Sequence, residues 1–414
     1  PNSEENIAVN FKKQHPELEN TEAYDDLTAF VHSIQVPRKI LLMVNAGATI
    51  DIILNELTPL LSKGDIIIDG GNSHYADTER RIQNLDKKQI HFIGCGISGG
   101  EQGALKGPSM MPGGNENAYA KIEKYLTPIA AKDKNGKPCC TYIGRGGSGH
   151  YVKTIHNGIE YVEMQLLAEV YHIFHKMGKN PSEIATILNT WKNEVNSFLL
   201  EITIDILSTL ENDEPLLNKI LDKAGNKGTG NWATISSAEL GIPSTLIASS
   251  LFARYISSFK DERTALNQIY QKKQAHLNLD NDTILQAYKL ARIINHHQGF
   301  QLLNEASNSF DYELNLSEIA RIWTNGCIIR SELMEGLVSI LKSTTNILIN
   351  DSIIDCLTDN KNSLTKLVVE SVSNGLTIPC FSDALNYFNG ITEENLPANL
   401  IQAQRDYFGA HTYQ

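Results

Sequence analysis

The stretch KILLMVNAGATIDIILNELTPLLSKGDIIIDGGNS, Lys39 to Ser73, decides the fold. Lys39 to Val44 is a continuous apolar run of strand length. Asn45-Ala46-Gly47-Ala48 breaks it, a helical pattern carries the chain through about Leu61, and Asp65 to Asp69 is a second apolar run. Short runs that are apolar at every position belong to parallel strands covered by helices on both faces. Working outward, His91 to Cys95 is a third such run and Thr141 to Gly144 a fourth, again separated by helical patterns. The expected fold is an α/β doubly wound, Rossmann-like sheet with its ligands beyond the carboxyl ends of the strands. Pro1 to about Val36 reads as helix and loop. A dinucleotide-binding sheet is expected to show GxGxxG after its first strand, and none precedes Lys39. Either the first βαβ elements lie outside this chain, or the cofactor is not a dinucleotide.

Three polar, glycine-rich loops follow the first three runs: Val44-Asn45-Ala46-Gly47, Asp69-Gly70-Gly71-Asn72-Ser73 and Gly96-Ile97-Ser98-Gly99-Gly100. Glycine lets a backbone approach a ligand and offer its N–H groups, as Ser98-Gly99-Gly100 can to a carboxylate. Each loop alone is also ordinary turn chemistry. In register with consecutive strands, they favour a nucleotide and a substrate meeting at one edge.

After the punctuation Gly144-Arg145-Gly146-Gly147-Ser148-Gly149 the chain turns almost wholly helical to about Phe388. Apolar spacing of three and four appears in Ser182–Leu188, Phe198–Leu210, Thr245–Phe259, Thr283–Ala306, Ile319–Leu341 and Leu364–Ser373. Expected domains are residues 1–146, Rossmann-like and cofactor-binding, residues 147–393, all-helical for substrate and dimerisation, and residues 394–414, a tail. Ala224 to Trp232 reads as a polar connecting loop in which Lys227 and Thr229 suit a phosphate, although a plain helix connector has the same composition.

The long helix expected from about Gly149 to Met177 buries Val152, Ile155, Ile159, Val162, Leu166, Val170, Ile173 and Met177 as one stripe. On another stripe Lys153, His156, Asn157 and Glu160 fall within roughly 100° of one another. An amine and a carboxylate two turns apart, with an amide and an imidazole between, make an acid/base pair with orienting hydrogen bonds for a small polar substrate. A solvated helix face has the same pattern, but Gly158 inside the helix, at about 1 kcal/mol relative to alanine, argues for a close approach.

Composition narrows the function classes. The chain has 414 residues and 41% hydrophobic content, enough for two or three domains and a substantial core. A net charge of −12 and the lack of a basic run exclude general nucleic-acid binding. Six cysteines without CxxC spacing indicate neither a zinc site nor a disulfide framework. No apolar run approaches the ~20 residues that span a bilayer, and no signal peptide opens the chain. A soluble, cytoplasmic protein is expected, with no membrane and no metal partner.

At this point longer motifs become legible in order: DIIIDGGNS (65–73), GISGGEQGALKGPSMMPGG (96–114), KTIHNGIEY (153–161), NKGTGNW (226–232), LFARYISSFKDER (251–263), GCIIR (326–330) and LIQAQRDYFGAHTY (400–413). Over essentially its whole length the chain resembles the 6-phosphogluconate dehydrogenases, decarboxylating NADP-linked enzymes of the pentose phosphate pathway. The resemblance implies Lys153 as general base on the C3 hydroxyl while hydride leaves C3, then as proton donor to the keto oxygen. Glu160 is implied as the acid that protonates C1 of the enediol to give ribulose 5-phosphate. A base role requires Lys153 to be neutral, which calls for desolvation or nearby positive charge.

By the same resemblance Asn72, Ser98, Gly99, Gly100, His156 and Asn157 hold the sugar acid, and Tyr161, Lys227, Thr229 and Arg254 hold its phosphate. Arg405 and His411 join them from the tail of a neighbouring subunit, which implies a homodimer with exchanged tails. NADP is placed against Val44, Asn45, Ala46 and Asn72. Asn45 stands where the family often has lysine, and relative to the family the chain is expected to be incomplete at both ends. A non-decarboxylating β-hydroxyacid dehydrogenase is the nearest alternative, discriminated by Lys227, Arg254 and Arg405. A non-catalytic sugar-phosphate-binding remnant is the other.

Overall fold

In a computed structural model, residues 6–225, 228–271 and 276–413 are described. Helices α1 (Ile7–Gln14) and α2 (Leu27–Ser33) precede β1 (Lys39–Leu42). α3 (Ala48–Leu57) leads to β2 (Ile66–Asp69), α4 (Tyr75–Asp86) to β3 (His91–Ser98), and α5 (Gly100–Lys106) to β4 (Ser109–Gly114), which α6 (Glu116–Leu126) follows. The strands form one sheet in the order β1-β2-β3-β4. β1 pairs with β2 and β2 with β3 in parallel, from Lys39↔Ile66 and Ile66↔His91 onward. Side chains alternate across a strand, so Ile66 and Ile68 pack with Ile93, Cys95, Tyr119 and Ile122 on one face, while Ile67 packs with Ile40, Phe92, Leu54 and Leu85 on the other. That two-sided burial is why DIIID carries no polar alternation.

The expected fourth strand at Thr141 to Gly144 does not form. The fourth strand is Ser109–Gly114, antiparallel to β3, with Ser98↔Ser109 and Ile93↔Gly114 in register. SMMPGG hides its strand character because Pro112 and two glycines replace the β-formers, and the antiparallel turn makes the sheet mixed rather than wholly parallel. Cys140 keeps a single parallel bridge to Met110.

The glycines have a packing reason. α7 (Ser148–Lys176) begins directly on β3 and β4. A Cβ on Gly149 would lie 2.2 Å from the Gly94 carbonyl oxygen and 2.3 Å from that of Met111, and one on Gly113 would lie 2.3 Å from Gly149 N. Backbone meets backbone there, with no room for side chains.

The chain continues through α8 (Pro181–Val195), α9 (Phe198–Ser208), a hairpin of β5 (Leu210–Glu211) and β6 (Glu214–Pro215), α10 (Thr229–Glu239), α11 (Thr245–Ser258), α12 (Lys260–Tyr270), α13 (Asn281–Ser309), α14 (Leu316–Ile322), α15 (Glu332–Ile340), α16 (Asp351–Ser373), α17 (Pro379–Ile391) and α18 (Ala398–Gly409). The stretch read as a connector, 224–232, is only partly loop, since α10 starts at Thr229. Ile319–Leu341, read as one helical pattern, is two helices. Between them Gly326, at φ +67°, turns so that its carbonyl accepts from Ser109 N at 2.8 Å, while the Ser109 hydroxyl donates to Ile322 O at 2.6 Å. A straight helix could not offer those carbonyls to a strand end.

Two compact units result: Pro1–Gly158 with Gly228–Gly241 and Phe300–Thr345, and Ile159–Lys227 with Ile242–Gly299 and Asn346–Gln414. The first holds the sheet. The second is helical and built around buried polar locks: Arg292 Nε donates to Glu163 Oε2 at 2.8 Å with both side chains 3% exposed, and Asn295 Nδ2 donates to Ile159 O at 3.1 Å. Glu169 accepts the backbone N–H groups of Cys380 and Phe381 at 3.0 and 3.1 Å, capping α17 from another helix.

Candidate active site

Lys153 stands on the second turn of α7, and β3 is shaped to receive it. A Cβ on Gly96 would come within 2.5 Å of Lys153 Cβ, so only a bare backbone lets the lysine stem lie against the strand. The residue is 7% exposed. Its Nζ lies 3.4 Å from His156 Nδ1, which is also 3.2 Å from Asn157 Oδ1, while His156 Nε2 meets Ser98 Oγ at 3.0 Å. The Asn157 oxygen can only accept, which puts the ring proton on Nδ1 and leaves Nε2 to accept from the Ser98 hydroxyl. Trp323 holds the ring edge-on at 5.4 Å. Burial first, and then the Lys153 charge, push the His156 pKa well below the ordinary imidazole value, against a smaller opposing pull from Asn157. The imidazole is therefore neutral. Gly99, at φ +131°, turns the chain out of β3 where a Cβ would strike Gly103 Cα and Gly326 O at 2.7 Å each.

The other two loops lie at the same carboxyl edge of the parallel strands. Val44, Asn45, Asn72 and Gly100 are exposed there, and Ala46 and Gly99 are half-buried. They are held from below by Asp69, at the head of its own loop, and by two groups that motif reading did not find. Asp69, fully buried, accepts from Ser73 Oγ at 2.6 Å and from Gly71 N at 3.0 Å. His150 bridges the Asp69 carbonyl, at 3.2 Å, and Thr78 Oγ1, at 2.7 Å. The two loops adjoin: a Cβ on Gly71 would be 3.2 Å from Val44 O. Backbone exposed on two abutting turns is a fitting cradle for an extended dinucleotide.

In the second unit Arg254, on α11, stacks its guanidinium 3.6 Å over the Tyr161 ring and donates from Nη1 to Gly225 O at 3.1 Å. Burial lowers the Arg254 pKa, and Tyr161 and Glu160 oppose that with favourable charge interactions. Glu160 is half-buried and Tyr161 buried. Thus Glu160, Tyr161 and Arg254 are brought together. Lys227 lies outside the described residues, as does the side chain of Thr229, whose backbone opens α10. Arg405 and His411 are exposed. Arg405 donates to Gln402 Oε1 on its own helix and His411 packs edge-on to Phe408, so within one chain their described contacts stay in the tail.

Trp323, His150 and Thr78 were the residues that sequence patterns missed. Among the described residues no group of three or more His, Cys, Asp or Glu is placed to hold a metal ion, and no helix is long and apolar enough to cross a membrane.

A Rossmann-like sheet, polar glycine loops at its carboxyl edge and a buried lysine on the following helix define a nicotinamide-dinucleotide dehydrogenase with a large helical C-terminal domain. Comparison with known proteins narrows the class. Residues 3–144 match the NAD binding domain of 6-phosphogluconate dehydrogenase, and residues 149–414 match the 6-phosphogluconate dehydrogenase C-terminal domain. The decarboxylating 6-phosphogluconate dehydrogenase of Staphylococcus epidermidis is 45% identical over 412 residues, covering 97% of this chain and 88% of its own. That of Staphylococcus aureus is 46% identical over 398 residues, covering 94% and 85%. The structure of Plasmodium falciparum 6-phosphogluconate dehydrogenase, determined in its apo form, with its cofactor NADP+ and with its substrate 6-phosphogluconate, superposes with a TM-score of 0.94 at 37% identity, covering 98% of this chain and 90% of that one. This chain belongs to the 6-phosphogluconate dehydrogenase family.

Proposed function

We infer that this chain oxidises 6-phosphogluconate with NADP and decarboxylates the product, giving ribulose 5-phosphate, CO2 and NADPH. The observation that carries the reading is the buried Lys153, His156, Asn157 and Ser98 cluster against the glycine-rich end of β3. NADP, held against Val44, Asn45, Ala46 and Asn72, supplies the hydride acceptor. Lys153 takes the C3 hydroxyl proton as the C3 hydride departs. A base role asks for a desolvated amine, and Lys153 is a buried residue. Once protonated, Lys153 donates to the C3 keto oxygen, which draws the electron pair released with CO2 into an enediol. Glu160 then gives a proton to C1 of the enediol, the carbon next to the lost carboxylate. Ser98, Gly99, Gly100, Asn72, His156 and Asn157 orient the sugar acid. Tyr161, Lys227, Thr229 and Arg254 receive the phosphate, for which stacking on Tyr161 already orients the Arg254 fork.

The partner reading follows from the tail. Tyr407 is 95% exposed, and Phe408, Leu400, Ile401 and Tyr413 are also exposed, an apolar surface too large for a free terminus. A homodimer whose tails deliver Arg405 and His411 to the opposite subunit covers it. Residues 1–146 act as the cofactor domain, 147–393 as the substrate and dimerisation domain and 394–414 as the exchanged tail, in a cytoplasmic enzyme.

The test is product stoichiometry. Purified protein with NADP and 6-phosphogluconate is expected to release NADPH and CO2 one to one, and Lys153→Ala to lose turnover while keeping its circular dichroism and substrate binding. NADPH without CO2 would establish the non-decarboxylating alternative. Mixing the inactive Lys153→Ala and Arg405→Ala proteins is expected to restore activity if tails exchange; no recovery would count against the exchange.

A further inference from the structure

We propose that Arg81 is a positioning residue for the cofactor edge: one buried guanidinium ties the loop after β1 to the turn after β2 and thereby sets dinucleotide affinity without touching the dinucleotide. This rests on the reading that those two loops take NADP. Arg81 is 2% exposed, on α4. Its Nε and Nη2 meet the two oxygens of Asp51 on α3 at 2.9 and 3.0 Å, and Nη2 also donates to the Gly47 carbonyl at 3.0 Å. Its Nη1 has no hydrogen-bond partner and faces Asp69 Oδ2 at ion-pair range, 3.8 Å.

Those partners lie on both sides of the proposed cradle. Gly47 ends the Val44-Asn45-Ala46 loop, at φ +88°. Asp69 starts the Gly70-Gly71-Asn72 turn and fixes it through Gly71 N and Ser73 Oγ. The guanidinium is therefore a shared neighbour of two loops that also adjoin where Gly71 passes Val44 O and where Gly70 N donates to Leu42 O at 2.9 Å. Asp51 is anchored a second time by the exposed Arg80, whose Nη2 lies 3.0 Å from Oδ2, so the surface ion pair does not need Arg81. What Arg81 alone supplies is the planar fork reaching Gly47 and Asp69 together, which a lysine cannot reproduce.

The test measures NADP binding by calorimetry and steady-state kinetics on the intact protein for Arg81→Lys and Arg81→Met. The expectation is a rise in Kd and KM for NADP on the order of 10- to 100-fold, from a misplacement of about 1 Å. KM for 6-phosphogluconate is expected to rise less than that for NADP, because Asn72 is the one proposed substrate contact on that turn, and kcat at saturation to hold within about threefold. A double-mutant cycle with Asp51→Asn is expected to be non-additive. Should the methionine variant fail to fold, the lysine variant carries the measurement. Wild-type NADP affinity in folded Arg81→Lys overturns the proposal, and so does a parallel loss of kcat and both KM values, which marks general damage. Wild-type protein that binds no NADP at all overturns the functional reading and this inference with it.

Discussion

Replacing Gly96 with alanine tests whether the place of Lys153 is dictated by the strand beneath it. The new methyl would stand 2.5 Å from Lys153 Cβ and 2.9 Å from the Gly149 carbonyl oxygen. Carbon atoms rest at about 3.5 to 4.0 Å, so a separation of 2.5 Å leaves a deficit of at least about 1 Å. Neither atom is the loose end of a side chain. One is the root of the lysine and the other is backbone, so the first turns of α7 have to retreat. Overpacking of this kind costs about 1–3 kcal/mol of stability, and a displacement of about 1 Å at a reacting group costs about 100-fold in rate, some 2.7 kcal/mol of barrier. The expected result is a folded protein with kcat down about 100-fold and Kd for NADP near wild type, read by stopped-flow absorbance of NADPH and calorimetry. Gly336→Ala, on α15, is the control, because nothing lies within 4 Å of its Cβ and it belongs to no proposed site. A Gly96→Ala protein with kcat within threefold of wild type would refute the argument that the strand sets the lysine.

Arg254→Ala removes a guanidinium that burial already holds under tension and Glu160 supports, so KM for 6-phosphogluconate is expected to rise 10-fold or more with KM for NADP unchanged; steady-state kinetics with each substrate varied decides. The Glu169 carboxyl is pushed by burial from its ordinary 4.5 up to about 7, against the backbone donors that cap α17 with it. A raised acid favours the fold only while protonated. Its contribution is full below about pH 4.5, falls as the pH climbs through about 7 and is gone above that. The interval is worth roughly 3 kcal/mol, so urea midpoints of wild type are expected to drop between pH 5 and 8 relative to Glu169→Gln, and parallel profiles would remove Glu169 as the cause. Arg292→Ala strands a buried Glu163 and is expected to cost about 3–5 kcal/mol in chemical denaturation, with much of it recovered when Glu163→Leu is added.

The sheet was readable where burial on both faces stamps the chain with unbroken apolar runs, as in KILLMV and DIIID. It was unreadable at Ser109–Gly114, where the requirement is the absence of side chains against α7, and Met-Met-Pro-Gly-Gly advertises a turn. The break between α14 and α15 hid for a related reason: the apolar spacing continues through Trp323 and Cys327, and only the pairing of Ser109 with Gly326 explains the stop. At the site, the α7 quartet announced itself because four chemically distinct groups share a helical stripe, and Ser98 because it precedes two glycines. The structure buries Lys153, His156 and Asn157 and half-buries Glu160, so amphipathicity understated how enclosed Lys153 is. Arg81 left no mark, since an arginine in a charged helix looks solvated until tertiary contacts join it to Asp51, Gly47 and Asp69. Trp323, far along the chain, touches His156 only through the fold.

The backward run of β4 has one more consequence. Ser98 and Ser109 face each other across the strand pair, so the connection from the Ser98 corner through α5 is closed at both ends by strand pairing, whereas the loops after β1 and β2 are held by the side chains of Arg81 and Asp69. Amide exchange should accordingly be slow at that corner and quick at Asn45 and Asn72. For protein engineers this divides the molecule's tolerance unevenly: the nucleotide side is open to redesign where Arg81 and Asp69 are kept, and the sugar-acid side is close to a fixed mould.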